Sequence, residues 1–401
     1  MKHIVIIGDG MADHPVARLG GRTPLMAANK PAIDDLARRG RCGQFVTVEA
    51  DMPPGSEVAN LTVLGYDPKQ CYQGRGVLEA ASLGVAIREN DVAMRCNVIC
   101  VVDGRIKNHS AGHIPTEEAR ELVKDLQAKL GSDIVRFHPG ISYRHLLVLS
   151  QGSPELEMFP PHDHVGKPIA ELMVRAKNAV AEPTAKLLND LILRSHEILA
   201  DHPVNNKRAA EGKDPANYIW PWSPGRKPAM RTLRELYGIK GAVISAVDLI
   251  NGTGVLAGLD VIPVRGATGL HDTNYEGKAD AAVAALRDHD FVYCHVEATD
   301  EAGHAKDLDL KIKCIEYLDQ RLVARIMGRL EEQRIEAVVA VLPDHATPVE
   351  SGNHVKDPVP VAIYDPRAEP DGVERYDEDA VTVGALGMMH GNEFIRQVLN
   401  R

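Results

Sequence analysis

Four short runs of β-branched and apolar residues constrain this chain most. Lys2–Gly8, Ala242–Ala246, Asp290–Val296 and Ala337–Leu342 each read as a strand buried on both faces. Between them apolar residues return every three or four positions, which predicts helices over Pro31–Arg39, Gly277–Arg287 and Leu308–Gln333. Strands that alternate with helices predict an α/β fold, a mostly parallel sheet flanked by helices. From roughly Asn90 to Pro228 the pattern changes. Strands at Val92–Val102 and Arg144–Ser150 lie near a helix at Thr116–Leu130, and a long helical stretch runs from Ile169 to about Ala200. This predicts an inserted α+β domain, 89–228, inside a discontinuous main domain, 1–88 and 229–401. Turn-rich stretches, Arg88-Glu89-Asn90-Asp91 and Trp220-Pro221-Trp222-Ser223-Pro224-Gly225, mark its ends.

With 401 residues, 44% of them hydrophobic and 25% charged, the chain can bury a large core. Its formal net charge of −10 and lack of a basic run argue against nucleic-acid or membrane-surface partners, which need clustered Lys and Arg. Neither a signal peptide nor an 18-residue apolar span is legible. Six cysteines without a C-x-x-C pair fit a reducing cytoplasm better than a disulfide framework.

The residues that carry chemistry stand just past the carboxyl ends of the predicted strands, where open α/β sheets place their sites. Asp9 follows the first strand. Asp300 and His304 follow the third, and Asp344 and His345 follow the fourth, with His354 nine residues on. Carboxylate plus imidazole is the donor mix that Mn²⁺ and Zn²⁺ accept, and these six residues suffice for two ions. Ser56 lies in Pro54-Gly55-Ser56-Glu57-Val58-Ala59-Asn60, a turn leading into a helical pattern. It reads first as an N-cap, a role compatible with that of a nucleophile held at a helix N-terminus, where an anion is also stabilised.

In order and spacing, Asp9, Ser56, Asp300-x-x-x-His304, Asp344-His345 and His354 resemble the ligand set of the alkaline phosphatase superfamily. Within it the chain is most similar to the archaeal-type branch of the cofactor-independent phosphoglycerate mutases. The resemblance spans nearly the whole chain and is carried by Gly8-Asp9-Gly10-Met11-Ala12-Asp13, Pro54–Asn60, Leu64-Gly65-Tyr66-Asp67-Pro68, Gly74-Arg75-Gly76, Gly266-Ala267-Thr268-Gly269 and Asp300–His304. It implies an alkaline-phosphatase-like sheet and exchange of 3-phosphoglycerate and 2-phosphoglycerate through a phosphoserine on Ser56, without 2,3-bisphosphoglycerate. It also implies two divalent ions, Mn²⁺ ahead of Zn²⁺ or Mg²⁺. One would sit on Asp9, Ser56, Asp344 and His345, the other on Asp300, His304 and His354.

Such a mutase keeps its glycerate while hydroxyls exchange and keeps water off the phosphoserine, which calls for a lid with carboxylate-binding cations. The insertion offers His109 and His113, Arg136 with His138, and Arg144 with His145, while Arg75, Arg226 and Lys227 flank its ends. Each also reads as a surface charge or an ion pair. The longer bacterial mutases' R-x-D-R and D-G-R-D runs are absent, so no substrate residue carries over from that branch. Lys306 stands where relatives more often have Gly, and it reads as solvent-facing. Two rivals share the metal site: a homoserine kinase of the same branch, suggested by Ile106–His113 and Trp220–Gly225, and a plain phosphomonoesterase. A dinucleotide-binding reading fails because Asp13 stands where a third glycine belongs and Gly252-x-Gly254 follows a helix-like segment.

Overall fold

In the computed structural model, which describes residues 1–400, the chain divides into two compact units, Met1–Tyr72 with Ala229–Arg401, and Gln73–Pro228. The larger unit holds an eight-stranded sheet in the order Asp260–Val261, Gly241–Ile244, Phe291–Val296, Lys2–Gly8, Ala337–Leu342, Val359–Tyr364, Arg41–Phe45, Gly387–Met389. All run parallel except Val359–Tyr364, which is antiparallel to both neighbours. The expected mostly parallel sheet is present.

Alternation explains why the central strands are apolar without interruption. Ile4 and Ile6 face one core, with Val292, Cys294, Val339 and Val341. Val5 and Ile7 face the other, with Tyr293, Ala340 and Leu342. Helices cover both faces, so both parities must be apolar. The expected long helix over Leu308–Gln333 is interrupted by a π-helical turn at Leu318–Val323. Asp319 within that turn accepts the Ile33 N–H at 2.7 Å, capping the helix Pro31–Arg38.

The smaller unit is built on an antiparallel sheet centred on Asp91–Val102, which pairs with Arg105–Asn108, Arg144–Ser150 and Tyr218–Gly225. Helices Thr116–Leu130 and Glu182–Leu199 contribute to its core. This unit takes in Gln73–Arg88 as well, because the helix Arg75–Ser82 packs on the central strand. Two local readings are corrected. Trp220–Gly225 is strand, not a boundary turn: among the described residues Tyr218–Gly225 pairs only with Asp91–Val102, and such an edge tolerates Pro221 and Pro224. The helix expected from Ile169 starts only at Glu182, after two short 3₁₀ turns, Ile169–Glu171 and Ala179–Ala181, and the two-residue strand Arg175–Ala176 between them.

Candidate metal centre

The sheet register assembles the first donor group. Asp9, Asp344 and His345 leave two neighbouring parallel strands, and one donor atom from each lies within 4.8 Å of the others. All three side chains are fully buried. His345 Nε2 is 3.6 Å from Asp9 Oδ1, 3.5 Å from Asp344 Oδ2 and 3.1 Å from Ser56 Oγ. Ser56 opens the helix Ser56–Val63 but makes no capping bond, because Gly55 occupies the cap position. The N-cap reading is therefore replaced: the hydroxyl faces His345.

The second group is Asp300, His304 and His354, again within 4.8 Å. The helix Ala298–His304 puts Asp300 and His304 on one face, one turn apart. The two imidazole Nε2 atoms lie 2.9 Å apart, and those of His304 and His354 are 3.1 and 3.4 Å from the Asp300 oxygens. His304 Nδ1 donates to the Gly352 carbonyl at 2.8 Å, so in the neutral imidazole that serves as a ligand the bare nitrogen is Nε2, which faces Asp300. This group is the more open one, with His304 41% exposed. Lys306 is exposed, as expected.

Electrostatics show what both groups are suited to hold. Burial, and then the charge of Asp344, push the Asp9 carboxyl well above the usual range. Asp9 Oδ1 is buried without a hydrogen-bond partner. Burial also lowers His345, favouring the neutral imidazole that serves as a ligand. Burial raises Asp300, but hydrogen bonds from His304 and His354 prevail and hold it well below its ordinary value. In turn Asp300 holds His304 up to about 9. Two buried carboxylates facing each other, an orphaned carboxylate oxygen and converging imidazoles fit divalent cations and little else.

Residues that the sequence reading passed over hold these donors. Thr347 Oγ1 donates to Asp300 Oδ1 at 2.5 Å and lies 3.3 Å from His345 Nδ1, so one hydroxyl links both groups. Asn60 Nδ2 donates to Asp344 Oδ2 at 2.8 Å and to the Ser56 carbonyl at 2.9 Å, and its Oδ1 accepts from the Tyr293 hydroxyl. Asn60 stands one helical turn after Ser56, and that spacing was the available signal. Gly10 has φ +59°, and a Cβ there would lie 2.5 Å from Asp300 Oδ1 and 2.6 Å from Thr347 Oγ1. Only glycine lets these loops approach so closely.

In the smaller unit the expected cations take different roles. Arg95, on the central strand, pairs with Glu79 and stacks 5.2 Å over Trp222, and the charges of Arg144 and Arg75 both act on it. His162 lies 5.2 Å from the Trp222 ring and 6.1 Å from His109, which in turn meets Tyr143 and His113. Arg144 sits over Tyr143 at 5.9 Å. Arg75, Arg144, His109 and His113 thus join a cationic, aromatic cluster to which Arg95 and His162 also belong. Arg136 is instead committed to buried Asp91 at 2.5 Å. Arg226 donates to the Gly152 carbonyl at 2.9 Å and Lys227 is exposed. His138 is half-buried and lowered by burial, while buried His145 is pushed down to about 3. We predict that Arg136→Ala lowers stability by about 1–3 kcal/mol in urea unfolding and leaves KM unchanged, because Asp91 loses a charged hydrogen bond.

A family model described as 2,3-bisphosphoglycerate-independent phosphoglycerate mutase matches residues 37–205. A protein of that name from Methanosarcina acetivorans is 49% identical over 397 residues, covering 98% of both chains. A probable one from Geobacter sulfurreducens is 46% identical over 406 residues and covered in full. Among solved structures, a Pyrococcus horikoshii protein superposes with a TM-score of 0.83 at 31% identity, covering 100% of this chain and 97% of its own. The cofactor-independent phosphoglycerate mutase of Thermoplasma acidophilum superposes with a TM-score of 0.71 at 30% identity, covering 100% and 99%. Likeness of this extent to relatives of one name, together with the donor groups at the strand ends, places the chain in the family of 2,3-bisphosphoglycerate-independent phosphoglycerate mutases.

Proposed function

We propose that the protein interconverts 3-phosphoglycerate and 2-phosphoglycerate through a phosphoserine on Ser56, at a centre that takes two divalent ions, Mn²⁺ before Zn²⁺ or Mg²⁺. The observation that carries this reading is the Ser56 hydroxyl 3.1 Å from His345 Nε2, at the edge of two donor groups linked by Thr347. Asp9, Ser56, Asp344 and His345 would hold one ion, and Asp300, His304 and His354 the other. Bound there, the ions supply a lowered hydroxyl pKa and charge neutralisation for the phosphoryl group.

The chain's own residues do the rest. Ser56 Oγ attacks the phosphorus of the incoming monoester and leaves the glycerate with a free hydroxyl. The glycerate then presents its other hydroxyl, which takes the phosphoryl group back and releases Ser56. Peptide N–H groups at the start of Ser56–Val63 favour the anion. Asn60 and Thr347 keep Asp344, His345 and Asp300 in place through both steps. We infer that the cationic, aromatic cluster of the smaller unit, Arg75, Arg144 and His109 with Arg95 and His162, binds the glycerate carboxylate. Arg fits that task because its planar fork binds a carboxylate bidentately. Arg144→Ala is then expected to raise KM about 10–100-fold, the loss of a charged hydrogen bond, with stability retained.

The deciding experiment supplies Mn²⁺ and 3-phosphoglycerate without bisphosphoglycerate, and follows 2-phosphoglycerate through enolase. Homoserine with ATP runs in parallel. Product in the first arm supports the mutase. Silence there with ADP release in the second moves the reaction to a kinase, and free phosphate alone moves it to a phosphomonoesterase. Asp344→Asn and His304→Ala should each lose one bound ion by metal analysis and about 100-fold or more of the activity. Full metal content in both variants would sink the two-ion reading.

A further inference from the structure

We propose that His295 is a positioning residue for Asp9, donating from Nε2–H to the carboxylate in a tautomer set by Ser245. This rests on the two-ion reading above and names the group that tunes one of those ions.

The register of the sheet puts these residues in a row. Ile244 lies opposite Cys294, and His295 lies opposite Ile7, on neighbouring parallel strands. Val243, Tyr293 and Ile7 all face the same core. Two residues beyond each, the alternation points Ser245, His295 and Asp9 to that same side at the strand ends. His295 is fully buried there. Its Nε2 is 2.8 Å from Asp9 Oδ2 and its Nδ1 is 3.1 Å from Ser245 Oγ. Lys278 Nζ donates to the His295 carbonyl at 2.8 Å and fixes the backbone beneath the ring.

Ser245 decides the direction of the chain of hydrogen bonds. In the proposed arrangement its Oγ accepts the Val247 N–H at 3.0 Å and gives the hydroxyl hydrogen to His295 Nδ1. A ring nitrogen that accepts carries no proton, so the imidazole proton stands on Nε2 and points at Asp9. With Oδ2 held in this way, Asp9 is left with Oδ1, which has no hydrogen-bond partner and faces His345 Nε2 at 3.6 Å. A donor on one carboxylate oxygen thus selects the other as the metal-binding atom and fixes its direction. Glu297 offers the rival arrangement. Its Oε2 is 3.5 Å from His295 Nε2, and Asp9, His295 and Glu297 place donor atoms within 4.8 Å of one another. An ion there would need Nε2 bare.

The test strips the full-length protein of metal and titrates it with Mn²⁺ by calorimetry. His295→Leu should weaken one of two ions about 10–100-fold, the usual cost of losing such a support, and leave the other within about twofold. His295→Gln, whose amide places a donor near the Nε2 position, should recover most of that affinity. Ser245→Ala, which frees the tautomer, should weaken the same ion by a smaller factor and stands in if the Leu variant does not fold. The inference is overturned if the Leu variant, or Ser245→Ala in its place, binds both ions like the parent. A Gln variant as weak as the Leu variant at both ions would overturn it too, as would a third ion lost with His295. A parent that binds fewer than two ions fails the two-ion reading itself, and shows this before any variant is compared.

Discussion

Ser56→Ala is expected to lower turnover of 3-phosphoglycerate by about 10⁴-fold or more, the scale of losing a covalent nucleophile, while the protein stays folded. The structure separates these two effects. Ser56 makes no capping bond, since Gly55 is the cap residue, and its hydroxyl faces His345 Nε2 at 3.1 Å. Alanine is also the best helix former, so Ser56–Val63 should persist and the unfolding midpoint of the metal-free protein should barely move. The measurement pairs the enolase-coupled rate with a thermal melt in chelator. A rate within about tenfold of the parent, with an unchanged melt, would mean that the phosphoryl group does not pass through Ser56. A collapsed melt would show the hydroxyl to be structural after all.

The largest stability effect is expected at Lys311. This lysine is fully buried, and its Nζ donates to Asp13 Oδ2 at 2.8 Å, to the Thr347 carbonyl at 2.8 Å and to the Ala12 carbonyl at 3.1 Å. It therefore ties the loop after the first strand to the loop after Ala337–Leu342, and these loops carry Asp9, Asp344 and His345. Burial lowers its pKa, and the charge of Asp13 opposes that shift. Lys311→Met keeps most of the volume but leaves a buried carboxylate and two carbonyls short of a donor. Breaking a buried pair from one side costs about 3–5 kcal/mol. Urea unfolding of the metal-free variant should show that loss, and a change under about 1 kcal/mol would mean that water replaces the ammonium. Mn²⁺ affinity should fall as well, because both loops lose their common anchor.

Lys311 also marks the limit of what periodicity reveals. It lies inside the expected helix Leu308–Gln333, where a lysine among apolar residues reads as a solvated charge. Nothing local says that it points inward at two loops nearly three hundred residues and some thirty-six residues away. Asp300, His304, Asp344 and His345 were legible for the opposite reason: each follows directly on a strand whose apolar run is unmistakable. His295 was hidden inside such a run, read as one more buried position of Phe291–Val296. The antiparallel strand Val359–Tyr364 was missed because its apolar run carries Pro360, and Tyr218–Gly225 because two prolines look like a turn.

For the smaller unit, residue type indicated only that cations were available. Arg136 and Arg144 lie on adjacent strands and look alike in sequence, yet one meets Asp91 and the other Tyr143. That difference is a matter of cross-strand partners, which sequence spacing does not contain.

What the sequence by itself determined is the mostly parallel α/β architecture and the placing of acids and histidines at the ends of three strands. Strand parity and helical periodicity are local properties, and a parallel sheet necessarily brings its carboxyl ends to one edge. Only the tertiary structure decided which donors share a centre, that Ser56 faces His345, and that Thr347, Asn60 and Lys311 support them. Those outcomes depend on sheet order and on contacts between segments distant in the chain, which strand parity and helical periodicity do not encode.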